Sequence, residues 1–141
     1  MTKTKSDLER FQAGPWSIVI TQRNKVLFRS NMGGISPLWQ AIHQLSKEEV
    51  AGAEIYDKVV GRAAAFLIIS VKFRKVNTPI ISRPAIEILR SSRIPVNYLK
   101  KVDRILDKNL RDLCPMERLS LDADTADGFI KLVKRNYAVS F

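Results

Sequence analysis

Hydrophobic and polar positions change their period several times along this chain, and each change predicts an element. Residues 16–30 hold two runs rich in Val, Ile, Phe and Trp, Trp16–Thr21 and Lys25–Ser30, separated by the polar Gln22-Arg23-Asn24 and bracketed by glycines. β-Branched and aromatic runs joined by a short polar turn predict a β-hairpin. Over residues 37–46 the period lengthens. Leu38, Ile42 and Leu45 recur at i, i+4 and i+7 behind Ser36 as N-cap and Pro37 at the first helical position, which predicts an amphipathic helix. "AGAE" (51–54) reads as a linker. A second helix is predicted from Asp57 to Val71, where "DKVVGRAAAFLIISV" is apolar almost all round and therefore central.

Beyond it, "KVNTPIIS" predicts a buried strand, and "SRPAIEILRSS" a helix with Ser82 near its N-cap and Pro84 in its first turn. Another strand is predicted over Pro95–Lys100. The segment at about 122–136, "DADTADGFIKLVKRN", places acids first and bases last, the polarity that the helix dipole prefers. Upstream, residues 5–12 read as a short helix with Ser6 as N-cap and Glu9 at capping-box spacing. Strands alternating with helices after an initial hairpin predict an α/β fold, a three-layer α/β/α sandwich on a mixed sheet, as a single domain over 1–141. Helices that follow strands bring their N-termini to the carboxyl edge of such a sheet, where ligands usually bind.

Composition narrows the setting more than the chemistry. The 141 residues are 45% apolar, and no stretch is apolar for long enough to span a bilayer, so no membrane association is expected. A lone Cys114 allows no internal disulfide, which favours a reducing, cytoplasmic location. The 24 Lys and Arg outnumber 14 Asp and Glu, a formal charge of +10, and such a surface concentrates anions around it. The bases are scattered, however. Their densest groups, "VKFRK" (71–75), "LKK" (99–101) and "KLVKR" (131–135), are not interleaved with the aromatics that single-strand binding uses.

Most signatures of chemistry are missing. One His and one Cys cannot build the usual zinc set, and neither "VVGRAAA" nor "NMGGIS" matches a phosphate-binding loop, so no metal and no cofactor are expected. "DADTADG" is spaced wrongly for a calcium loop and reads as helix-start acids. Cys114, before a proline and near a helix start, is either a small buried hydrophobe or a thiol of lowered pKa. Glu117 is either a first-turn acid or a pocket carboxylate. His43 reads as a surface or core-edge residue. Asp57 is a good N-cap, but Lys58 has the wrong sign for a helix start unless it meets an acid or an anionic ligand. Gly61 inside a helix costs about 1 kcal/mol relative to Ala, which implies that a backbone or a ligand packs closely there.

"DKVVGRAAA", the "IISRPAIEIL" junction and "LCPME", taken together, resemble a family of prokaryotic proteins of unknown function with the cytidine-deaminase-like fold. The resemblance runs from about Trp16 to Leu119 and leaves the C-terminal helix outside it. Active zinc deaminases of that fold carry H-x-E at one helix start and P-C-x-x-C at the next. By topological order these match Asp57-Lys58-Val59 and Ser82-Arg83-Pro84 here, where no His, Glu or Cys stands. The resemblance thus implies a deaminase scaffold without its zinc ligands, and in it the positions of Asp57, Lys58, Gly61, Ser82, Cys114, Pro115 and Glu117 recur. It also implies that a homo-oligomer is to be expected.

Three functions follow as expectations. The first is a domain that binds a small anionic or nucleotide-like ligand at the former active-site position. Its ligand-binding residues would be Asp57, Lys58, Gly61 and Ser82, and its candidate catalytic groups Asp57, Lys58, Cys114 and Glu117. The second is a non-enzymatic basic module for nucleic acid or an acidic protein partner. The third is thiol chemistry at Cys114.

Overall fold

The structure, a computed structural model, describes residues 2–106 and 114–137; the polar stretch "DKNLRD" (107–112) lies outside these. Helix α1 spans Thr2–Ala13 and strands β1 and β2 span Ile18–Gln22 and Lys25–Ser30. Ser6 is therefore inside α1 rather than its cap, because no residue before it breaks the helix and Leu8 is drawn into a fully buried position. The hairpin forms as expected. Its turn residues Arg23 and Asn24 take φ of 52° and 67°, the left-handed pair of a type I′ turn, whose twist suits the flanking strands.

The expected helix over 37–46 ends two residues early, at Gln44, and a separate short helix follows it. Helix α2 runs Ser36–Gln44 with Ile35, not Ser36, at its N-cap, since the Trp39 N–H already bonds to the Ile35 carbonyl at 3.0 Å. Ser46 then opens α3 (Lys47–Ala51) with a capping box, exchanging side-chain and backbone hydrogen bonds with Glu49. "AGAE" is not a linker, because α3 ends on its first residue and β3 (Glu54–Asp57) begins on its last.

The largest correction concerns residues 57–71. Asp57 ends β3, Val59–Val60 form a short β4, and helix α4 starts only at Arg62 and runs to Val71. The backbone of β3 pairs antiparallel with β1 (Ile18 against Asp57) and parallel with β5, and β4 continues along the same edge of β5. A short apolar run does not by itself separate strand from helix, and here β-branched Val59 and Val60 follow the sheet. Asp57 is therefore no N-cap; Gly61 occupies that position.

Strand β5 (Lys75–Ser82) is central, flanked by β3 and β4 on one side and by the parallel β6 (Val96–Val102) on the other; helix α5 (Arg83–Ser91) joins β5 to β6. Helices α4 and α5, which make the two parallel connections, pack side by side with α2 beside α4, as crossovers of one hand require. Helix α1 covers the opposite face, where Phe11 meets Tyr56. This is an α/β/α sandwich on a mixed sheet. Six consecutive residues of α4, Ala63–Ile68, are buried, because α6 (Pro115–Ser120) and α7 (Ala126–Tyr137) pack on the helix away from the sheet. Helix α7 starts later than expected: Asp122 and Asp124 precede it, and the Thr125 hydroxyl receives the Gly128 N–H at 3.0 Å. Fully buried Phe129 stacks on Phe66 and secures α7 to α4. Phe129→Ala should therefore lower the unfolding free energy by about 3–5 kcal/mol in urea denaturation.

Candidate functional site

Helix α4 begins without a cap of its own. Gly61 has no side chain to accept the free N–H groups of the first turn, and a helix end in a buried place needs such a partner. The partner comes from α6. Glu117, 7% exposed, accepts the Arg62 N–H at 3.0 Å on one carboxylate oxygen and the Ala63 N–H at 2.8 Å on the other. Its negative charge lies at the positive end of the helix dipole. Burial raises its pKa, and the two N–H groups and the charge of Arg62 act against that rise.

Arg62 returns the contact. Its guanidinium donates to the Ser120 carbonyl (Nε, 3.2 Å) and the Ala123 carbonyl (Nη2, 2.7 Å), which bracket the C-terminal end of α6, and lies over the Phe66 ring. Each helix thus caps the other. Gly61 is required for a steric reason, since its φ of −102° suits any residue. A Cβ at this position would stand 2.3 Å from a Glu117 carboxylate oxygen.

This double cap forms one wall of a cavity of about 650 Å³ at the carboxyl end of β3 and β4. The opposite wall is the approach to α2, Gly33-Gly34-Ile35, and the remainder is mostly apolar, including Val59, Ile105 and Met116. Three helix starts therefore open on the cavity, those of α2, α4 and α6. The start of α5 is not one of them. Ser82 is fully buried as the N-cap of α5, receiving the Ala85 N–H at 3.3 Å, and does not line the cavity. Asp57, Lys58, Gly61, Cys114, Pro115 and Glu117 all do.

Their freedom to act differs. Glu117 is committed to the cap. The Lys58 ammonium donates to the Gly14 carbonyl and sits over the Phe11 ring, so it ties α1 to the end of the sheet. Cys114 is half-buried at the start of α6, with its N–H on the Ile105 carbonyl at 3.1 Å. Asp57, at the end of β3, is a carboxyl that caps no helix. Burial pushes its carboxyl up to about 7, and the N–H groups of Val59 and Lys58 offset only part of that. Gly33, Gly34 and Ile35 are site residues that the sequence reading did not single out as such; "GGIS" before a helix was the one available signal. Among the described residues, no three of His, Cys, Asp and Glu stand together in a way that could hold a metal ion.

Mutual capping predicts coupling between Gly61 and Glu117. Glu117→Ala should cost about 2–4 kcal/mol, through two lost charge-assisted bonds. Gly61→Ala should cost about 1–3 kcal/mol through overlap with the carboxylate. The double variant should be more stable than the sum of the two by about 1–2 kcal/mol, because removing the carboxylate also removes the overlap. A double-mutant cycle by urea denaturation measures this, and strict additivity would mean that the two positions do not meet.

Comparison with known proteins agrees with this architecture. No curated protein matches the chain. Its structure is similar to the crystal structure of a DUF1893 family protein (TM1506) from Thermotoga maritima, with a TM-score of 0.84 and 25% sequence identity, over 94% of this chain and 88% of that one. The family model TM1506, domain of unknown function (DUF1893), matches residues 7–136, from α1 through nearly all of α7. The chain belongs to the DUF1893 family.

Proposed function

We propose that this chain is a deaminase-like domain that binds a small, nucleobase-like ring in the cavity between α2 and α4, without zinc ligands. The observation that carries the reading is Asp57: a carboxyl group with a pKa of about 7 in the wall of a largely apolar 650 Å³ cavity. Perturbed titration in a concave, apolar site marks a functional candidate. The resemblance to the cytidine-deaminase-like fold adds support, since such proteins work where two helix starts face one pocket. The starts of α2, α4 and α6 face the cavity here and that of α5 does not, so Ser82 leaves the proposed site and residues 33–35 enter it.

The chemistry of the wall narrows the ligand. Lys58 already has a carbonyl partner, and two carboxyl groups border the cavity, so a purely anionic ligand is disfavoured. A neutral carboxylic acid presents one donor and one acceptor side by side. That pair matches the edge of an aminoheterocycle, where a ring nitrogen accepts and an adjacent amino group donates. The flat faces of such a ring suit the glycine and apolar walls.

A thermal-shift screen of nucleobases, nucleosides, nucleotides and acidic metabolites tests this reading. The expected hits carry an amino group beside a ring nitrogen, and their affinity should fall as pH rises from 6 to 9 and Asp57 loses its proton. Asp57→Asn keeps a donor and an acceptor, so it should retain binding and lose the pH dependence, whereas Asp57→Ala should lose binding. A hit indifferent to both substitutions would place the ligand elsewhere.

Stability should move in the corresponding sense. The folded pKa of Asp57 lies above its ordinary value of 3.8, so the folded state holds the proton more tightly between about pH 4 and 7. Stability from this group is complete at low pH and is lost as pH rises through 7. Wild-type Tm should therefore drop between pH 5 and pH 8 by more than that of Asp57→Asn, as followed by circular dichroism.

A further inference from the structure

The amino end of the sheet, opposite the cavity of Asp57, holds a second hollow of different character. It measures about 390 Å³ and lies between the hairpin turn and the starts of β3 and β5. Strand register sets its floor, with Thr21 beside Glu54 and Glu54 beside Lys75. Neighbouring strands are about 5 Å apart, so the floor is about 10 Å wide. Its lining is polar and includes Arg23, Arg74 and Lys75.

We infer that this hollow binds the phosphate group of a small phosphate monoester. The acids around it are already engaged. Glu54 is paired with Arg74 and also receives the Asn77 side-chain N–H at 3.1 Å, and Asp7 is paired with Arg10. Asn77 is 1% exposed, and its carbonyl oxygen receives the Asn97 amide at 3.1 Å, so a chain of hydrogen bonds anchored on buried Asn77 positions Glu54, the partner of the exposed Arg74 guanidinium. Arg23 and Lys75 have no ion-pair partner among the described residues. Two unpaired cations beside the Arg74 guanidinium suit a compact dianion, with the Tyr56 hydroxyl, its pKa raised by burial and by Glu54, as a neutral donor at the edge.

Arg23 supplies a second, independent argument. It occupies the first central position of a type I′ turn at φ 52°, where Gly, Asn or Asp is favoured and a long side chain is disfavoured. An arginine at that strained position, at the rim of a cationic hollow, is what a ligand contact at the expense of stability would leave behind.

This site is separate from the cavity proposed above, and either can fail alone. The test is an NMR titration of the ¹⁵N-labelled protein with inorganic phosphate, with acetate as a monoanion control at equal ionic strength. Phosphate should shift amides of residues 22–25, 54–56 and 74–77 and saturate, and acetate should not. Arg23→Gly should weaken binding about tenfold or more while leaving Tm equal to or above that of wild type, and Lys75→Gln should weaken it to a similar degree. Shifts spread over the scattered Lys and Arg of the whole surface, or a phosphate affinity that survives either substitution, would overturn the inference.

Discussion

The carboxylate of Glu117 at the start of α4 is the contact on which the rest of this structure depends. Six consecutive residues of helix α4, Ala63–Ile68, are buried, and leaving its first N–H groups unpaired would cost more than a typical hydrogen bond gains. The chain meets that need from more than fifty residues away in sequence. Through the same contact it fixes α6 against α4, and Arg62 makes the attachment mutual by holding the far end of α6. The tight fit of Gly61 then has a single cause, the space that the carboxylate occupies.

That arrangement explains how the cavity stays open in a dense core. Its walls are built from groups already satisfied elsewhere: Glu117 by helix N–H groups, Lys58 by the Gly14 carbonyl, Ser17 by the Ser30 and Met32 carbonyls. Among the described residues, Asp57 lines it as a carboxyl that caps no helix. Burial raises the cost of charge on that carboxyl, and a ligand able to share its proton would lower the cost. The two hollows at opposite ends of the sheet consequently differ in kind. One is largely apolar with a carboxyl whose pKa burial raises; the other is polar and lined by Arg23, Arg74 and Lys75.

How much of this was legible in the sequence depended on whether a signal was local. The hairpin, the central β5, the α5 N-cap at Ser82 and the α7 polarity all come from patterns within a dozen residues, and all appear in the structure. Two local readings failed because the local preference was weak. Ser6 and Ser36 look like caps but are helical, and the apolar run after Asp57 fits a helix and a strand equally well until β1 and β5 lie beside it. The candidate site was half visible. Asp57, Lys58, Gly61, Cys114 and Glu117 line one cavity, but Ser82 belongs to a different helix start, and residues 33–35 gave only a glycine pair as a sign.

By itself, the sequence determined the fold class, the order of most elements and the list of unusual residues, because hydrophobic period, β-branching and turn chemistry act between near neighbours. Tertiary structure alone decided what those residues are for. It turned Glu117 from a first-turn acid into the cap of another helix and Gly61 from a weak helix residue into the space that cap needs. It also moved Asp57 from a helix cap to a strand end with a displaced pKa. Burial, through-space hydrogen bonding and steric exclusion act between residues far apart in the chain, and no window along the sequence contains both partners.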